Sequence, residues 1–156
     1  MSTIERIVYQ PLDVEYEEGA IPFIRIPVET ARLIANHGLE NDQKAGHHPD
    51  RQVNMVSREW LDKVAPLGYM TGPGEFGEQL TLTGLDFDTL EPGTQIQLGD
   101  EAVVEIIKAR TGCSRLEAAQ GKSIAGIGGI GLLGRVITSG DIRMGDAVRV
   151  LETAVA

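Results

Sequence analysis

The chain has 156 residues with 23 acidic and 14 basic side chains, a net charge of −9, and 19 glycines against 4% aromatics. That length fits one domain over 1–156 and can bury roughly two thirds of the unfolded surface, without disulfide or structural metal. The acidic surface disfavours nucleic acid and anionic membrane as partners. There is no basic n-region followed by an apolar run, and no apolar stretch of about 18 residues. The cytoplasm is therefore the expected location.

Much glycine and many short β-branched runs predict a mixed α/β fold, mainly β. Residues 4–9 read as a strand. Residues 13–18 are an acidic loop, and 21–26 alternate as a strand that Pro22 places at an edge. In 27–37, Val28, Ala31, Ile34 and Ala35 recur at helical spacing, with Glu29 early and Gly38 after, which predicts a helix. A polar loop follows, and 51–56 alternate as a strand. Ser57 is placed to cap a helix carrying Trp60, Leu61 and Val64, closed by Pro66 and Gly68.

Residues 69–77 form a glycine-rich loop, 78–83 a strand, 84–92 a connection and 94–98 another strand. Gly99-Asp100 predicts a two-residue hairpin turn into a Val/Ile strand over 102–109. Further strands are expected at 132–137 and 147–151, with a turn at 139–141. The count is about eight strands and three helices. The simplest arrangement is a small β-barrel with peripheral helices.

The most informative stretch is Thr111-Gly112-Cys113-Ser114-Arg115-Leu116-Glu117, which holds the only cysteine. Ser114 and Glu117 have capping-box spacing, and Gly121 is placed to end the helix. Cys113 then sits beside a helix N-terminus, with Lys108, Arg110, Arg115 and Lys122 nearby in sequence. Such surroundings favour the thiolate, so its pKa should fall and a nucleophile or metal ligand is expected. The alternative is a small buried hydrophobe.

Other motifs are weaker. Residues 126–131 match G-x-G-x-x-G, but no strand–turn–helix unit surrounds them. Gly121-Lys122-Ser123 lacks the first glycine of a phosphate loop. Adjacent His47 and His48 point apart, and a second cysteine is missing, which argues against a zinc site. A pairing of His48 with Cys113 is open on geometry.

Several stretches in this order resemble the MOSC family, the domain found at the C-terminus of molybdenum cofactor sulfurases. They are Gly46-His47-His48-Pro49-Asp50-Arg51-Gln52-Val53-Asn54, Pro73-Gly74-Glu75-Phe76-Gly77-Glu78-Gln79, Arg110-Thr111-Gly112-Cys113-Ser114-Arg115, and Gly131-Leu132-Leu133-Gly134-Arg135-Val136. Residues 92–100 and 145–148 extend the match. Larger relatives have His-His-Gly-Gly-Pro where this chain has His47-His48-Pro49-Asp50, and an Asn where it has Gln79.

The resemblance implies a β-barrel with a cysteine beside a pocket, and the molybdenum cofactor, molybdopterin, as ligand. Cys113 matches the position that carries persulfide sulfur or ligates molybdenum. Arg110, Arg115 and Lys122 would bind the pterin phosphate, and the helix N-terminus at Ser114 would add N–H donors. His48, Arg51, Asn54, Gly77 and Glu78 are implied as further cofactor-binding residues. Partners would be molybdopterin or a sulfur donor or acceptor protein. Pyridoxal phosphate is not expected, because the chain has no aminotransferase-like domain. The readings are a sulfur carrier or molybdenum-binding protein, an oxidoreductase acting on N-hydroxylated compounds, and a non-catalytic binding module.

Overall fold

The computed structural model describes residues 1–12, 25–43, 45–112 and 114–152, with the side chains of Ser114, Arg115 and Glu152 outside the description. In chain order the strands are β1 Thr3–Tyr9, β2 Ile26–Val28, β3 Thr30–Ile34, β4 Gly38–Leu39 and β5 Val53–Ser57. Helix α1, Arg58–Val64, runs into a 3-10 turn, Ala65–Leu67. Then come β6 Leu80–Thr83, a second 3-10 turn Phe87–Thr89, β7 Gln95–Leu98 and β8 Ala102–Arg110. Helix α2, Ser114–Gln120, precedes β9 Gly131–Thr138, β10 Gly140–Arg143 and β11 Val148–Glu152.

Eight strands form one sheet in the order β11-β7-β8-β9-β5-β6-β1-β2, and β10-β3-β4 form a second. β5 is buried along its whole length because both faces are covered. Val53 and Met55 join Ile4, Ile7, Leu80, Leu98 and Ile106 in the main core. Val56 belongs to a second core with Leu61, Val64, Phe76, Leu116 and Ile130. That second core lies between the sheet and the two helices. β5 and β6 are parallel, and a parallel pair needs a crossover, which α1 and the loop after it supply.

The Ser57 cap is as expected: its hydroxyl oxygen accepts the Trp60 N–H at 3.2 Å. Gly121 ends α2 in the left-handed region, with its N–H bonded to Glu117 O at 2.9 Å. The capping box expected between Ser114 and Glu117 lies outside the described residues, since the Ser114 side chain does. The Glu117 carboxylate accepts the Ile124 N–H at 3.1 Å, tying the next loop to the helix.

Four expectations are corrected. Residues 27–37 are not a helix but β2, β3 and a turn into β4. Leu33 is buried while Arg32 points outward, a period of two, and β3 takes its hydrogen bonds from β10. Of residues 139–141, expected as a turn, Gly140 and Asp141 begin β10. The Leu98–Ala102 hairpin exists, but three residues connect it, not two.

The fourth correction concerns the barrel. Among the described residues eleven strands and two α-helices form two sheets, and the sheets do not close into a barrel. The ends of the large sheet do approach. Thr3 bridges Ala147, and the Val148 N–H bonds Ser2 O at 2.9 Å. The outer edge of β1 beyond that bridge pairs with β2 over Ile7–Tyr9, so it has no room for a continuous ladder to β11. Pro27 sits on β2, an edge strand, where its missing N–H costs no ladder bond. Of the strand expected over 21–26, residues 21–24 lie outside the described residues, as does the acidic loop 13–18.

Candidate functional site

Cys113 lies outside the described residues, and so do the side chains of Ser114 and Arg115. Its neighbours in the chain are described. β8 delivers Arg110, Thr111 and Gly112 follow, and α2 begins at Ser114. Two supports flank this link. One is the turn 72–79, and the other is the glycine loop 126–130.

The turn is fixed by its own Glu78 and by polar groups converging from three elements. Phe76 is fully buried, in edge contact with Trp60 at 4.9 Å between ring centroids. Glu78 is 1% exposed and wraps back on its own turn, accepting the Gly74 N–H at 2.8 Å and the Phe76 N–H at 3.0 Å. Burial pushes the Glu78 carboxyl up from the ordinary carboxylate range. Hydrogen bonds from its own N–H and those of Gly74 and Phe76, and the charge of Arg6, work the other way. From β5, Asn54 donates to Gly77 O at 3.2 Å, and its N–H reaches Gln79 Oε1 at 2.6 Å. Gln79 in turn donates to Asp42 at 3.0 Å. From the end of β8, the Arg110 guanidinium donates to Phe76 O. From α2, Gln120 accepts the Met70 N–H at 2.8 Å and donates to Met70 O and Glu75 O at 2.9 and 3.0 Å.

The glycine loop lies on the other side. The Ile130 N–H bonds Arg110 O at 2.9 Å. Gly112 is so close to Ile124 and Ile130 that a Cβ there would fall 1.9 Å from Ile124 Cδ1. Residues 125, 126, 128 and 129 are exposed, and no protein acceptor meets the N–H of Gly126, Gly128 or Gly129 among the described residues.

The residues nominated from sequence therefore separate into groups. Asn54, Gly77, Glu78 and Arg110 come together around the Phe76 turn. Lys122 stands apart: it donates to Leu67 O and lies 4.7 Å from the Tyr69 ring centroid. His48 and Arg51 occupy an exposed turn, in which His48 Nδ1 accepts the Asp50 N–H at 3.1 Å. Among the described residues no group of three His, Cys, Asp or Glu side chains converges as a metal site. Likewise, no helix is long and apolar enough to cross a membrane.

Sequence reasoning missed Gln120 and the Asp42–Gln79–Asn54 chain. Their signal was weak, since a buried amide looks like any polar surface residue until its partner is known. It also treated 84–92 as a plain connection. With α1 and the start of β9, that segment encloses a cleft of about 780 Å³. Three acids within six residues, Asp86, Asp88 and Glu91, mark that segment in the sequence.

A family model described as MOSC domain matches residues 42–149, well over half of the chain. The chain belongs to the MOSC domain family. The matched stretch contains the Phe76 turn, the Cys113 link and the glycine loop, and begins after β1–β4. No curated protein matches the chain significantly.

Three solved structures are similar in fold. A hypothetical protein is 27% identical, with TM-score 0.68, over 82% of this chain and 64% of that one. YiiM from Geobacillus stearothermophilus is 24% identical, with TM-score 0.72, over 97% and 76%. YiiM from Escherichia coli is 24% identical, with TM-score 0.70, over 100% and 72%. The chain thus spans less than two thirds of the first of these proteins.

Proposed function

We propose that the chain acts with the molybdenum cofactor and that Cys113 is its reactive residue, as a persulfide-bearing sulfur carrier or as a thiolate ligand to molybdenum. The observation that supports this reading is the hydrogen-bonded frame on both sides of Arg110, where the chain enters the cysteine link. Buried hydrogen bonds fix the Phe76 turn on one side, and the Ile130–Arg110 bond fixes the glycine loop on the other. A reactive thiolate needs such pre-organised surroundings.

The donors that would hold the cofactor differ from those the sequence suggested. Arg110 and Lys122 contribute charge, but each also anchors a backbone carbonyl. The exposed N–H groups of Gly126, Gly128 and Gly129 are better suited to an anionic phosphate, as successive backbone amides often are. A thiolate is a suitable ligand for a soft metal–sulfur centre. When bound, the cofactor would supply metal–sulfur redox chemistry. The chain's own part is to hold the phosphate through the glycine loop and to keep Cys113 deprotonated. Loading of sulfur is balanced without an external oxidant. The Cys113 thiolate attacks the outer sulfur of a donor persulfide, and the donor leaves as its thiolate.

The test is Cys113→Ser, since the hydroxyl can neither carry sulfane sulfur nor act as a soft ligand. The expected result is little change in melting temperature, because Ser is nearly isosteric with Cys. Bound molybdenum and sulfane sulfur should both be lost. Molybdenum near one per chain in the wild type favours the metal ligand, and persulfide without metal favours the carrier. Unchanged loading in the variant would overturn both.

A further inference from the structure

The cleft beside α1 is separate from the Phe76 turn and has a chemistry of its own. Its floor is dry: Leu90, Ile130 and Leu132 are each at most 6% exposed. Trp60 and Phe87 line it, both half-buried. Packing against Phe76 fixes the Trp60 ring, at an interplanar angle of 70°. The volume of about 780 Å³ lies within the range of small-molecule sites.

The rim is one-sided in charge. Glu59, Asp86, Asp88 and Glu91 face a single cation, Lys63. Glu59 is occupied as a brace, accepting from Gly84 N–H at 2.6 Å, Thr83 hydroxyl at 3.0 Å and Ser57 hydroxyl at 3.1 Å. Burial alone would raise its pKa, but these bonds outweigh it and hold the carboxyl below the ordinary range. The ion pairs among the described residues are Arg32–Asp141, Arg58–Glu5, Arg58–Asp62 and Arg135–Glu105. Asp86, Asp88 and Glu91 are therefore left without a cation.

We propose that this cleft binds an organic cation, an amine or amidinium carried on an aryl or short alkyl body. The apolar floor and the two rings take the body, the rim carboxylates take the charge, and a cation over Trp60 gains from the ring face. A metal ion is the poorer fit, because the acids do not converge into a cluster that could coordinate one. One wall is Gly129–Gly131, and Gly131 is the ladder partner of Arg110, so an occupant would lie a strand's width from the Cys113 link.

Trp60 is the only tryptophan, so its fluorescence reports on this cleft directly. The experiment titrates the protein with phenethylammonium, the neutral phenethyl alcohol and the anionic phenylacetate. The cation should give a saturable change, with the alcohol at least about 5-fold weaker and phenylacetate weaker still. Asp88→Asn with Glu91→Gln should weaken the cation about 5-fold, in line with two exposed charge pairs. Neither side chain makes a hydrogen bond among the described residues, so the melt should hold. If the variant fails to fold, raising NaCl to 0.5 M on the wild type must weaken the cation in its place. Cys113→Ser should bind the cation unchanged, which separates this proposal from the one on cofactor. Equal binding of the alcohol, no saturable change, or indifference to both charge removal and salt would overturn it.

Discussion

At the scale of single residues, Glu78 shows how a charge can be spent on shape. Its carboxylate closes the turn that Arg110 grips, and burial raises its pKa in the folded protein. In the unfolded chain the group titrates near the ordinary value of about 4.3. Above that value the folded chain still holds a proton that the unfolded chain has released. Stability from this group is therefore largest below the unfolded value, falls as pH rises towards the folded-state pKa, and then levels off. Glu78→Gln removes this titration and leaves one of the two N–H groups facing an amide, at a cost of about 1–3 kcal/mol. Denaturant melts of both proteins from pH 4 to 7 should show the wild-type advantage shrinking as pH rises. A constant advantage would mean that Glu78 ionises without penalty. The residue was legible in the Phe-Gly-Glu motif, but as a cofactor contact. Its work within its own turn was not, because that depends on a two-residue reversal that spacing does not reveal.

At the scale of elements, the β9 start makes a close approach to the backbone of β5. Gly131 has φ of +140°, and a Cβ there would come within 2.1 Å of Met55 O, which is backbone and cannot swing away. Gly121 has φ of +67° with open space around it. Gly131→Ala should therefore cost more than about 3 kcal/mol, and Gly121→Ala only about 1–2, the ordinary left-handed penalty. Comparison of chemical denaturation midpoints decides it, and equal losses would refute the close approach. Strands β5, β7, β8 and β9 and both α-helices could be read from periodicity and caps. Residues 27–37 could not. Val28, Ala31 and Ile34 satisfy a three-to-four spacing by accident, while β3 owes its form to β10, more than a hundred residues away. Tertiary pairing overrides a short local pattern.

At the scale of the whole molecule, the net charge of −9 opposes compaction, and only four ion pairs stand against it among the described residues. Screening shortens from about 10 Å at 0.1 M salt to about 3 Å at 1 M. The melting temperature should rise by about 2–5 °C between 20 mM and 0.5 M NaCl, because repulsion is relieved more than these pairs are weakened. A fall would mean that the pairs dominate. The β-rich class was legible from glycine and β-branched content, whereas closure was not, since it turns on which strand takes each edge of β1. The strand order has one more consequence, for synthesis. Until β9 emerges, β2-β1-β6-β5 and the β7-β8 hairpin are two half-sheets, each with an open edge. β9 joins them, and the excursion that carries Cys113 lies between β8 and β9. A ribosome-bound chain cannot complete the sheet on both sides of that excursion before β9 is made, so joining the two half-sheets and framing the excursion are one event.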